Sequence, residues 1–578
     1  MATEIRRRPP GGGLEPIGDL HPVLRRVYSA RGVSSAEDLD LSLDRLLPVS
    51  TLEGVERAAE VLAAHRASGR VLVVGDFDAD GATGSALLVR AMRSLGFAHV
   101  DFLVPNRFQF GYGLTPGIVA LAAQRRPSLI VTVDNGVSSI EGVEAAHALG
   151  IPVLITDHHL PGAKLPSADA IVNPNLAGST FASPALSGVG VAFYVVAALA
   201  RALRPPEFRP SDLLDLVALG TVADLVPLDR NNRVLVAQGL RRIRAGRCVP
   251  GIRALLELSG RRLDRLTAAD LGFIVAPRLN AAGRLSDMSV GIACLLADDE
   301  VRARALAAEL TRLNEERREI EQRMQAEAAQ LAATVRFAES GGESFGLCLF
   351  DESWHQGVVG LVAGRVKDRF HRPVVAFARA EDGSLRGSAR SVAGIHIRDV
   401  LDAIAARHPG LIEKFGGHAM AAGMTLPESS LDGFRRAFAE EISARADADT
   451  FAGVVLSDGE LLAAELSLDT ARLLRGAGPW GQGFPEPIFD GRFTIADLRV
   501  VGGRHLKMRL RGAEQAPAGF GAGSAVPLDA ISFGYVGGGS EDPALEPGVT
   551  LDLAYRLEVN EYNGAEQVQL NCQHFKIR

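Results

Sequence analysis

The feature that most constrains the fold is an alternation of short apolar segments and amphipathic segments between residues 50 and 175. The apolar segments are VLVVGDF (71–77), HVDFLVP (99–105), SLIVTVD (128–134), PVLITDHH (152–159) and AIVNP (170–174). Segments with helical spacing separate them, for example SALLVRAMRSLG (85–96). This alternation predicts a doubly wound, parallel α/β sheet. Because ligands of such sheets bind at the carboxyl ends of the strands, polar residues at those ends are the first candidates for a site.

The rest of the chain predicts further domains, since 578 residues are too many for one core. Residues 299–335 contain neither Pro nor Gly, and their leucines recur at helical spacing, which predicts an amphipathic helix roughly 50 Å long. A second α/β segment follows at about 343–450. Five strand-like segments at 488–578, the last two joined by Asn563-Gly564, favour an OB-fold barrel with a terminal hairpin.

We therefore predict five regions. They are an N-terminal extension (1–48), the parallel-sheet domain (49–298), a connector helix (299–338), a second α/β domain (339–455) and the barrel with its lead-in (456–578).

The segment DFDADG places Asp76, Asp78 and Asp80 directly behind the first strand. Its spelling matches the first half of an EF-hand calcium loop. However, Leu87 stands where that loop needs a bidentate carboxylate, and a strand precedes the segment instead of a helix. An acidic strand-to-helix turn without metal explains this segment, taken alone, as well as a functional site does.

The next strand ends favour a metal site. Asp134 ends VTVD, Asp157, His158 and His159 end LITDHH, and Asp224 lies within the apolar stretch LVALGTVADLVPL. One aspartate in apolar surroundings is usually structural, but several acidic clusters in one sheet domain would repel each other unless a cation neutralised them. Carboxylates with one or two imidazoles suit Mn²⁺ or Mg²⁺, and the four cysteines show no zinc-binding spacing. The pattern predicts a two-metal centre for phosphoester hydrolysis.

This ordered set of residues resembles the four motifs of the DHH phosphoesterase superfamily. The resemblance implies metal ligands among Asp76, Asp78 and Asp80, leaving open which of these three bind directly, together with Asp134, His158 and Asp224. Asp134 is expected to bridge the two ions, and Asp157 to orient the neighbouring imidazole. Together with His159, which would face the phosphate or handle a proton, Asp134 and His158 are the expected catalytic residues. Many members begin the first motif with a histidine; Val74 lies near that place here, which suggests that Asp76 takes over.

Five further segments resemble the RecJ family of bacterial single-stranded-DNA exonucleases. They are FIVAPRLNAAGRLSD (273–287), SWHQGVVGLVAGRV (353–366), LRGSARS (385–391), FGGHAMAAG (415–423) and WGQGFPEP (480–487). GGHxxAAG alone indicates only a DHH-associated domain, which other phosphodiesterases share. The matches run from about residue 50 to the C-terminus and resemble the shorter form of the family, without an additional C-terminal domain.

Several of these segments carry candidate substrate-binding residues. Guanidinium groups suit phosphate oxygens, and glycine amides at a turn can hold an anion. An ordinary Arg-rich loop is the alternative for the first segment, and a buried tryptophan is the favoured interpretation of Trp354 in Trp354-His355. The candidates are Arg278, Asn280, Arg284, Arg386, Ser388, Arg390, Gly417 and His418.

The resemblance implies a 5′→3′ exonuclease that degrades single-stranded DNA to 5′-mononucleotides with two Mn²⁺ or Mg²⁺ ions, in DNA recombination and repair. One alternative is a DHH-type phosphodiesterase for short oligonucleotides or cyclic dinucleotides, against which the barrel argues. The other is an OB-fold DNA-binding factor whose nuclease centre has decayed, against which the intact Asp134, His158 and Asp224 argue.

Location and partners are expectations of the same kind. The N-terminus MATEIRRRPPGGG has no apolar stretch behind its arginines, and GVGVAFYVVAALA (188–200) is too short to span a bilayer. We therefore expect a cytoplasmic protein without a membrane partner. We also expect a monomer whose partners are single-stranded DNA, a single-strand-binding protein and a helicase.

Overall fold

The computed structural model describes residues 3–9, 11, 20–105, 110–338, 345–446, 450–451, 453–512, 527–535, 545–562 and 564–578. The chain forms two compact units. The first, here called the DHH unit, comprises Pro9–Asn314 and Arg472–Pro487. The second, here called the barrel unit, comprises Met1–Arg8, Glu315–Ala471 and Ile488–Arg578.

The helices of the described residues fall into three groups along the chain. Those of residues 20–300 are α1 (Pro22–Ser29), α2 (Val55–Ala64), α3 (Ala79–Ser94), α4 (Pro116–Ala123), α5 (Ile140–Ala148), α6 (Gly188–Leu203), α7 (Leu214–Ala223), α8 (Arg230–Arg244), α9 (Pro250–Leu258), α10 (Ala276–Leu285) and α11 (Ser289–Leu296). A π-helical turn, Leu271–Val275, precedes α10. The long helix is α12 (Glu300–Ala338), and α13 (Val359–Phe370), α14 (Ile397–Arg407), α15 (Leu431–Arg445) and α16 (Leu468–Gly476) follow.

The strands form two open sheets, one small sheet and one barrel. They are β1 (Glu4–Arg7), β2 (Arg70–Gly75), β3 (His99–Leu103), β4 (Leu129–Val133), β5 (Val153–Thr156), β6 (Ala170–Val172), β7 (Leu347–Phe350), β8 (Val374–Arg379), β9 (Leu385–Arg390), β10 (Lys414–Gly417), β11 (Ala421–Leu426), β12 (Val454–Ser457), β13 (Phe489–Val501), β14 (His505–Gly512), β15 (Leu528–Ser532), β16 (Thr550–Tyr562) and β17 (Ala565–Ile577).

The sheet of the DHH unit confirms the predicted parallel architecture. Its strand order is β3-β2-β4-β5-β6, and every neighbouring pair is parallel. The central strand β4 is buried along its whole length, as expected for a strand covered on both faces. Because β2, β4 and β5 are neighbours, the polar residues that follow them in sequence emerge side by side at one edge.

The helix after the first acidic segment begins earlier than the sequence predicts. We predicted it from Ser85, but α3 starts at Ala79, so Asp80 lies in its first turn. Asp78 is the reason, because its Oδ1 accepts hydrogen bonds from the amides of Asp80 (2.9 Å) and Gly81 (3.0 Å) and caps the helix. DFDADG is therefore both a strand end and a helix start.

The barrel unit contains the second predicted α/β domain. Its sheet has the order β10-β11-β9-β8-β7, with β7 and β8 parallel and the other pairs antiparallel. Phe377, Phe434 and Phe438 are fully buried in the core beneath this sheet. The Phe434 ring meets the Phe377 ring edge to face at 5.5 Å and stacks on Phe438 at 5.7 Å.

The predicted long helix is confirmed as α12, and the division between the two units falls within it. Arg317 interrupts the apolar stripe of this helix but is buried beside Glu321, with which it forms an ion pair. Glu321 also accepts a hydrogen bond from Arg365, so the buried charges of the stripe are paired.

The C-terminal strands close into the predicted barrel, with the order β13-β14-β15-β17-β16. Only β15 and β17 pair in parallel; the other described pairs are antiparallel. The predicted hairpin is present as β16–β17, although Asn563 itself lies outside the described residues. At the other end of the chain, β1 pairs with β12. Among the described helices, none combines the length and the apolar character needed to cross a membrane.

Replacing Phe434 with alanine is expected to destabilise the barrel unit by about 3–5 kcal/mol, because a fully buried ring leaves a cavity between two others. The midpoint of urea denaturation measures this loss. Phe533→Ala is the matched control in the same unit, since that ring is 59% exposed and its loss should change stability by less than about 0.5 kcal/mol. Equal effects of the two substitutions would contradict the assignment of the core.

Candidate metal centre

Four segments bring acidic and imidazole side chains to the carboxyl edge of the DHH sheet. Asp76 follows β2, Asp134 follows β4, and Asp157 with its two histidines follows β5. Asp224 comes from a different element, as the C-terminal cap of α7. Residues that are 148 positions apart in sequence (76 to 224) therefore meet in one cluster.

The cluster contains three overlapping groups that have the spacing of metal ligands. They are Asp134–His158–His159, Asp80–His158–Asp224 and Asp76–Asp78–Asp134, with the ligand atoms of each group within 4.8 Å of one another. The Nε2 atom of His158 lies 3.0 Å from Asp134 Oδ1 and 3.5 Å from Asp224 Oδ2. Asp134 and His158 each belong to two groups, so these two residues are the centre of the arrangement.

Asp80 is held differently from the other carboxylates. It is fully buried, and its two oxygens accept hydrogen bonds from the amides of Gly188 (2.6 Å) and Val189 (2.9 Å) at the start of α6. Burial and the charge of Asp78 raise the pKa of Asp80 to about 7, although the two amides oppose this rise. Both oxygens are engaged with backbone, which favours a positioning role for Asp80 over direct ligation.

Asp157 and His159 form a hydrogen-bonded pair beside the cluster. Asp157 Oδ1 lies 2.7 Å from His159 Nδ1, and Asp157 Oδ2 accepts the amide of Val137 at 2.9 Å. Burial opposes charge on both groups, but their interaction outweighs it: the pKa of Asp157 is lowered and the pKa of His159 is raised. The hydroxyl of Tyr112 lies 3.1 Å from the same imidazole. Asp157 thus holds the imidazole of His159, whereas it contacts His158 only at the backbone amide, at 2.7 Å.

Burial and like-charge repulsion both disfavour the charged carboxylates of the cluster. Burial raises the pKa of Asp134 well above its ordinary value, and the charges of Asp80, Asp78, Asp224 and Asp76 raise it further. Burial, followed by the charges of Asp80, Asp78 and Asp76, likewise raises the pKa of Asp224 well above its ordinary value. A divalent cation would remove this penalty, because it replaces like-charge repulsion with attraction.

The residues present fit such a cation. Asp134 Oδ1 and Asp224 Oδ2 are buried, yet within the part of the chain that the structure describes they accept no hydrogen bond. Buried carboxylate oxygens without a donor are costly unless they bind metal. The donor set of carboxylates and imidazole suits Mn²⁺ or Mg²⁺.

The APRLNAAGRL segment lies against the first acidic segment. Asn280 Oδ1 accepts the amide of Ala79 at 2.8 Å, and a Cβ on Gly283 would stand 1.8 Å from the carbonyl oxygen of Phe77. Arg278 is buried and donates to Thr311 and Ile274, while Arg284 is half-buried. Asn280 therefore contacts the backbone of the first acidic segment. Its predicted role in substrate binding does not explain this contact.

The remaining predicted substrate-binding residues lie in the barrel unit. Arg386, Ser388 and Arg390 alternate along β9 and so share one face. Arg390 donates to Ser388 Oγ at 3.0 Å, and both side chains lie against Gly360 at the start of α13.

On the same sheet, Gly417 and His418 form the turn of the β10–β11 hairpin. Gly417 has φ +147°, and a Cβ there would stand 2.4 Å from a backbone oxygen. Trp354 is buried and donates to Glu327, which confirms the structural interpretation of that residue.

Sequence reasoning missed three amides and one glycine around the centre. Asn135 donates to the carbonyls of Val74 and Val133. Asn173 and Asn175 donate to the carbonyls of His159 and His158, at 2.9 Å and 2.6 Å. A Cβ on Gly188 would lie 2.6 Å from the Cβ of Asp134. The asparagines also stand at strand ends. Asparagine is so common in turns, however, that this position alone does not indicate a functional role.

Two residues of the centre adopt left-handed backbone conformations. Asp134 has φ +62° and Leu225, directly after Asp224, has φ +60°. Such a conformation is strained for leucine, and the Leu225 side chain is also 67% exposed.

Comparison with known proteins places this geometry in a family. Three family models match the chain: the DHH family N-terminal domain (residues 70–221), the DHHA1 domain (342–444) and the RecJ OB domain (457–574). The single-stranded-DNA-specific exonuclease RecJ of Dickeya dadantii is 52% identical over 99% of both chains. This chain belongs to the RecJ family.

Other RecJ proteins support the same assignment. RecJ of Escherichia coli is 51% identical over 98% of both chains. Among solved structures, RecJ of Thermus thermophilus in complex with Mn²⁺ superimposes with a TM-score of 0.80 at 30% identity, over 99% of this chain and 79% of that one. The Mg²⁺ complex of the same protein gives a TM-score of 0.74.

Raising the pH is expected to destabilise the metal-free protein and to increase the stabilisation by Mn²⁺. The raised pKa values mean that the folded carboxyls hold protons which the unfolded chain releases. Stability is therefore lost as pH rises from the ordinary carboxyl range through the folded values, about 7 for Asp80. Mn²⁺ competes with these protons.

Unfolding temperatures with chelator and with Mn²⁺, at about pH 5.5 and about pH 8, measure this effect. The difference between the two conditions should be larger at the higher pH, and Asp134→Asn should reduce it. An equal difference at both pH values would contradict the electrostatic account.

Asn280→Ala separates two roles for this residue. If Asn280 supports the RecJ-family metal centre through Ala79, the substitution should weaken Mn²⁺ binding by about tenfold and leave the KM for DNA at saturating Mn²⁺ nearly unchanged. Isothermal titration with Mn²⁺ and steady-state kinetics distinguish the outcomes. A higher KM with normal Mn²⁺ affinity would instead support the substrate-binding role.

Proposed function

We propose that this chain is a metal-dependent exonuclease that degrades single-stranded DNA in the 5′→3′ direction to 5′-mononucleotides. The observation that carries the proposal is that Asp134 belongs to two groups with the spacing of metal ligands. One buried carboxylate between two ligand sets is the arrangement that a two-metal phosphodiester hydrolase requires. Membership of the RecJ family supports the choice of single-stranded DNA as the substrate.

Five residues would hold two Mn²⁺ or Mg²⁺ ions. Asp134 shares one ligand group with Asp76 and Asp78 and another with His158, and His158 also shares a group with Asp224, so these five would be the ligands. Asp80 fixes the start of α6 against the centre through its two amide contacts. The two ions, when bound, lower the pKa of a water molecule and neutralise the phosphate oxygens during in-line displacement.

The residues of the chain handle the substrate and the proton around that chemistry. His159, whose pKa is raised by its contact with Asp157, would donate a hydrogen bond to a non-bridging phosphate oxygen or a proton to the leaving oxygen. The Tyr112 hydroxyl limits the rotation of this imidazole, since it contacts both His159 and the carbonyl of Asp134.

A phosphate-binding surface is proposed on β9 and the adjacent hairpin. Arg386, Ser388 and Arg390 offer a cationic, hydrogen-bonding strip, and Gly417 with His418 extends it. Burial lowers the pKa of Arg390, and a bound phosphate would offset that cost. In the DHH unit, Arg284 and Arg278 are the candidates for a DNA contact, and Arg278 also donates to Thr311 and Ile274.

The wider biological context is proposed on the same basis. Work in DNA recombination and repair, in the cytoplasm and as a monomer, fits a RecJ-family enzyme, with a single-strand-binding protein and a helicase as partners. The barrel would bind single-stranded DNA.

Metal-stripped protein supplied with Mn²⁺ or Mg²⁺ and end-labelled substrates tests the proposal. Long single-stranded DNA should be shortened from its 5′ end only when metal is present, whereas blunt duplex DNA should persist. Preference for a dinucleotide would favour the oligonucleotide phosphodiesterase, and binding without cleavage would favour the decayed factor.

The substitution Asp134→Asn should reduce kcat at least about 100-fold, and asparagine tolerates the left-handed backbone of that position. Activity that survives this substitution would overturn the site assignment.

A further inference from the structure

The segment WGQGFPEP precedes the barrel in sequence but belongs to the DHH unit in space. Its core is a tight turn, Gly481–Phe484, here called the lead-in turn. Gly481 and Phe484 exchange two backbone hydrogen bonds, of 2.9 Å and 3.1 Å, and Gly483 has φ +72°. Three residues beyond Pro485, the chain enters the barrel at Ile488–Phe489.

The lead-in turn packs on the loop that carries Asp224, here called the Asp224 loop (residues 224–229). The amide of Leu228 donates to the carbonyl of Gln482 at 2.7 Å. A Cβ on Gly481 would stand 2.7 Å from the Leu228 side chain, and a Cβ on Gly483 would stand 3.2 Å from Pro227. A side chain at 481 would push against Leu228, and at 483 both the positive φ and the approach of Pro227 favour glycine.

An aromatic cluster fixes the lead-in turn to the body of the DHH unit. The rings of Trp480 and Phe484 stack at 5.2 Å, and the Arg233 guanidinium lies 4.3 Å from the Phe484 ring. Arg233 belongs to α8, the helix that begins where the Asp224 loop ends. Trp480 Nε1 also donates to the carbonyl of Leu474 at 3.0 Å.

The Asp224 loop is thus anchored just after its functional residue. Leu228 is buried beneath the lead-in turn, and Asn232 donates to the carbonyl of Pro227 at 2.9 Å. Between this anchor and the end of α7 lie Asp224, whose carboxylate is 3.5 Å from His158, and the strained Leu225. A loop with a left-handed leucine needs an outside constraint to keep that conformation.

We propose that the lead-in turn is a positioning element of the metal centre: it fixes Asp224 through Pro227 and Leu228 and thereby helps to set the affinity for the divalent ion. The inference rests on the proposed function of the centre. It assigns no direct contact with metal or DNA to Gly481, Gly483 or Phe484. The inference does assign a supporting role in the catalytic unit to the chain segment that leads into the barrel.

Gly483→Ala in the full-length chain tests the proposal, with Gly260→Ala as the matched control. Both glycines have left-handed φ angles, +72° and +68°, so alanine strains the backbone equally, but a Cβ at 260 meets nothing within 4 Å. Titration of free Mn²⁺ followed by electron paramagnetic resonance should show about tenfold weaker binding for Gly483→Ala and unchanged binding for Gly260→Ala. The rise in unfolding temperature on adding Mn²⁺ should shrink in the first variant only.

Phe484→Leu supplies a second variant, which removes the stacking on Trp480 and the Arg233 contact while keeping an apolar side chain. It should weaken Mn²⁺ binding in the same direction, with an unchanged KM for DNA at saturating Mn²⁺. If both variants unfold at lower temperature but bind Mn²⁺ as the unaltered chain does, the turn is only structural and the inference is overturned. If the unaltered chain itself binds no Mn²⁺, the proposed function fails first, so the two failures are distinguishable.

Discussion

Repulsion between buried carboxylates is the constraint on which the DHH unit depends. Asp134 lies among Asp76, Asp78, Asp80 and Asp224, in a setting that raises its pKa well above the ordinary value. Folding alone does not favour such a cluster, so the surrounding structure must hold it in place. Amides at the start of α6, the Asn280 side chain and the lead-in turn each secure one part of it. Much of the unit therefore serves to hold the carboxylates in positions where a bound cation stabilises them.

The sheet explains how a dispersed sequence signal becomes one site. Parallel strands β2, β4 and β5 end at the same edge, so the residues after them converge whatever their separation in sequence. Asp224 joins them from the end of α7, because Gly220 lets that helix approach Thr83 and Asp80 closely. The metal centre thus combines a feature common to all parallel sheets with a helix contact that is specific to this chain.

Strand ends and acidic clusters could be predicted from the sequence because apolar periodicity and charge are local properties. The parallel sheet, the long helix, the second α/β domain and the barrel all followed from that periodicity. The predicted start of α3 at Ser85 is wrong by six residues, because the sequence does not distinguish a capping aspartate from a candidate metal ligand. The amide contacts of Asp80 were also hidden, since its partners, Gly188 and Val189, lie about 108 positions away. Contacts at that distance leave no trace in a local pattern.

The left-handed Leu225 has a consequence for how such a chain can change over time. A leucine that is both exposed and strained lowers stability, and glycine or asparagine would relieve the backbone at that position. Because glycine and asparagine favour the same left-handed conformation, either replacement would keep the shape of the Asp224 loop while removing an exposed apolar side chain. Position 225 is therefore a place where the chain could gain stability without moving Asp224.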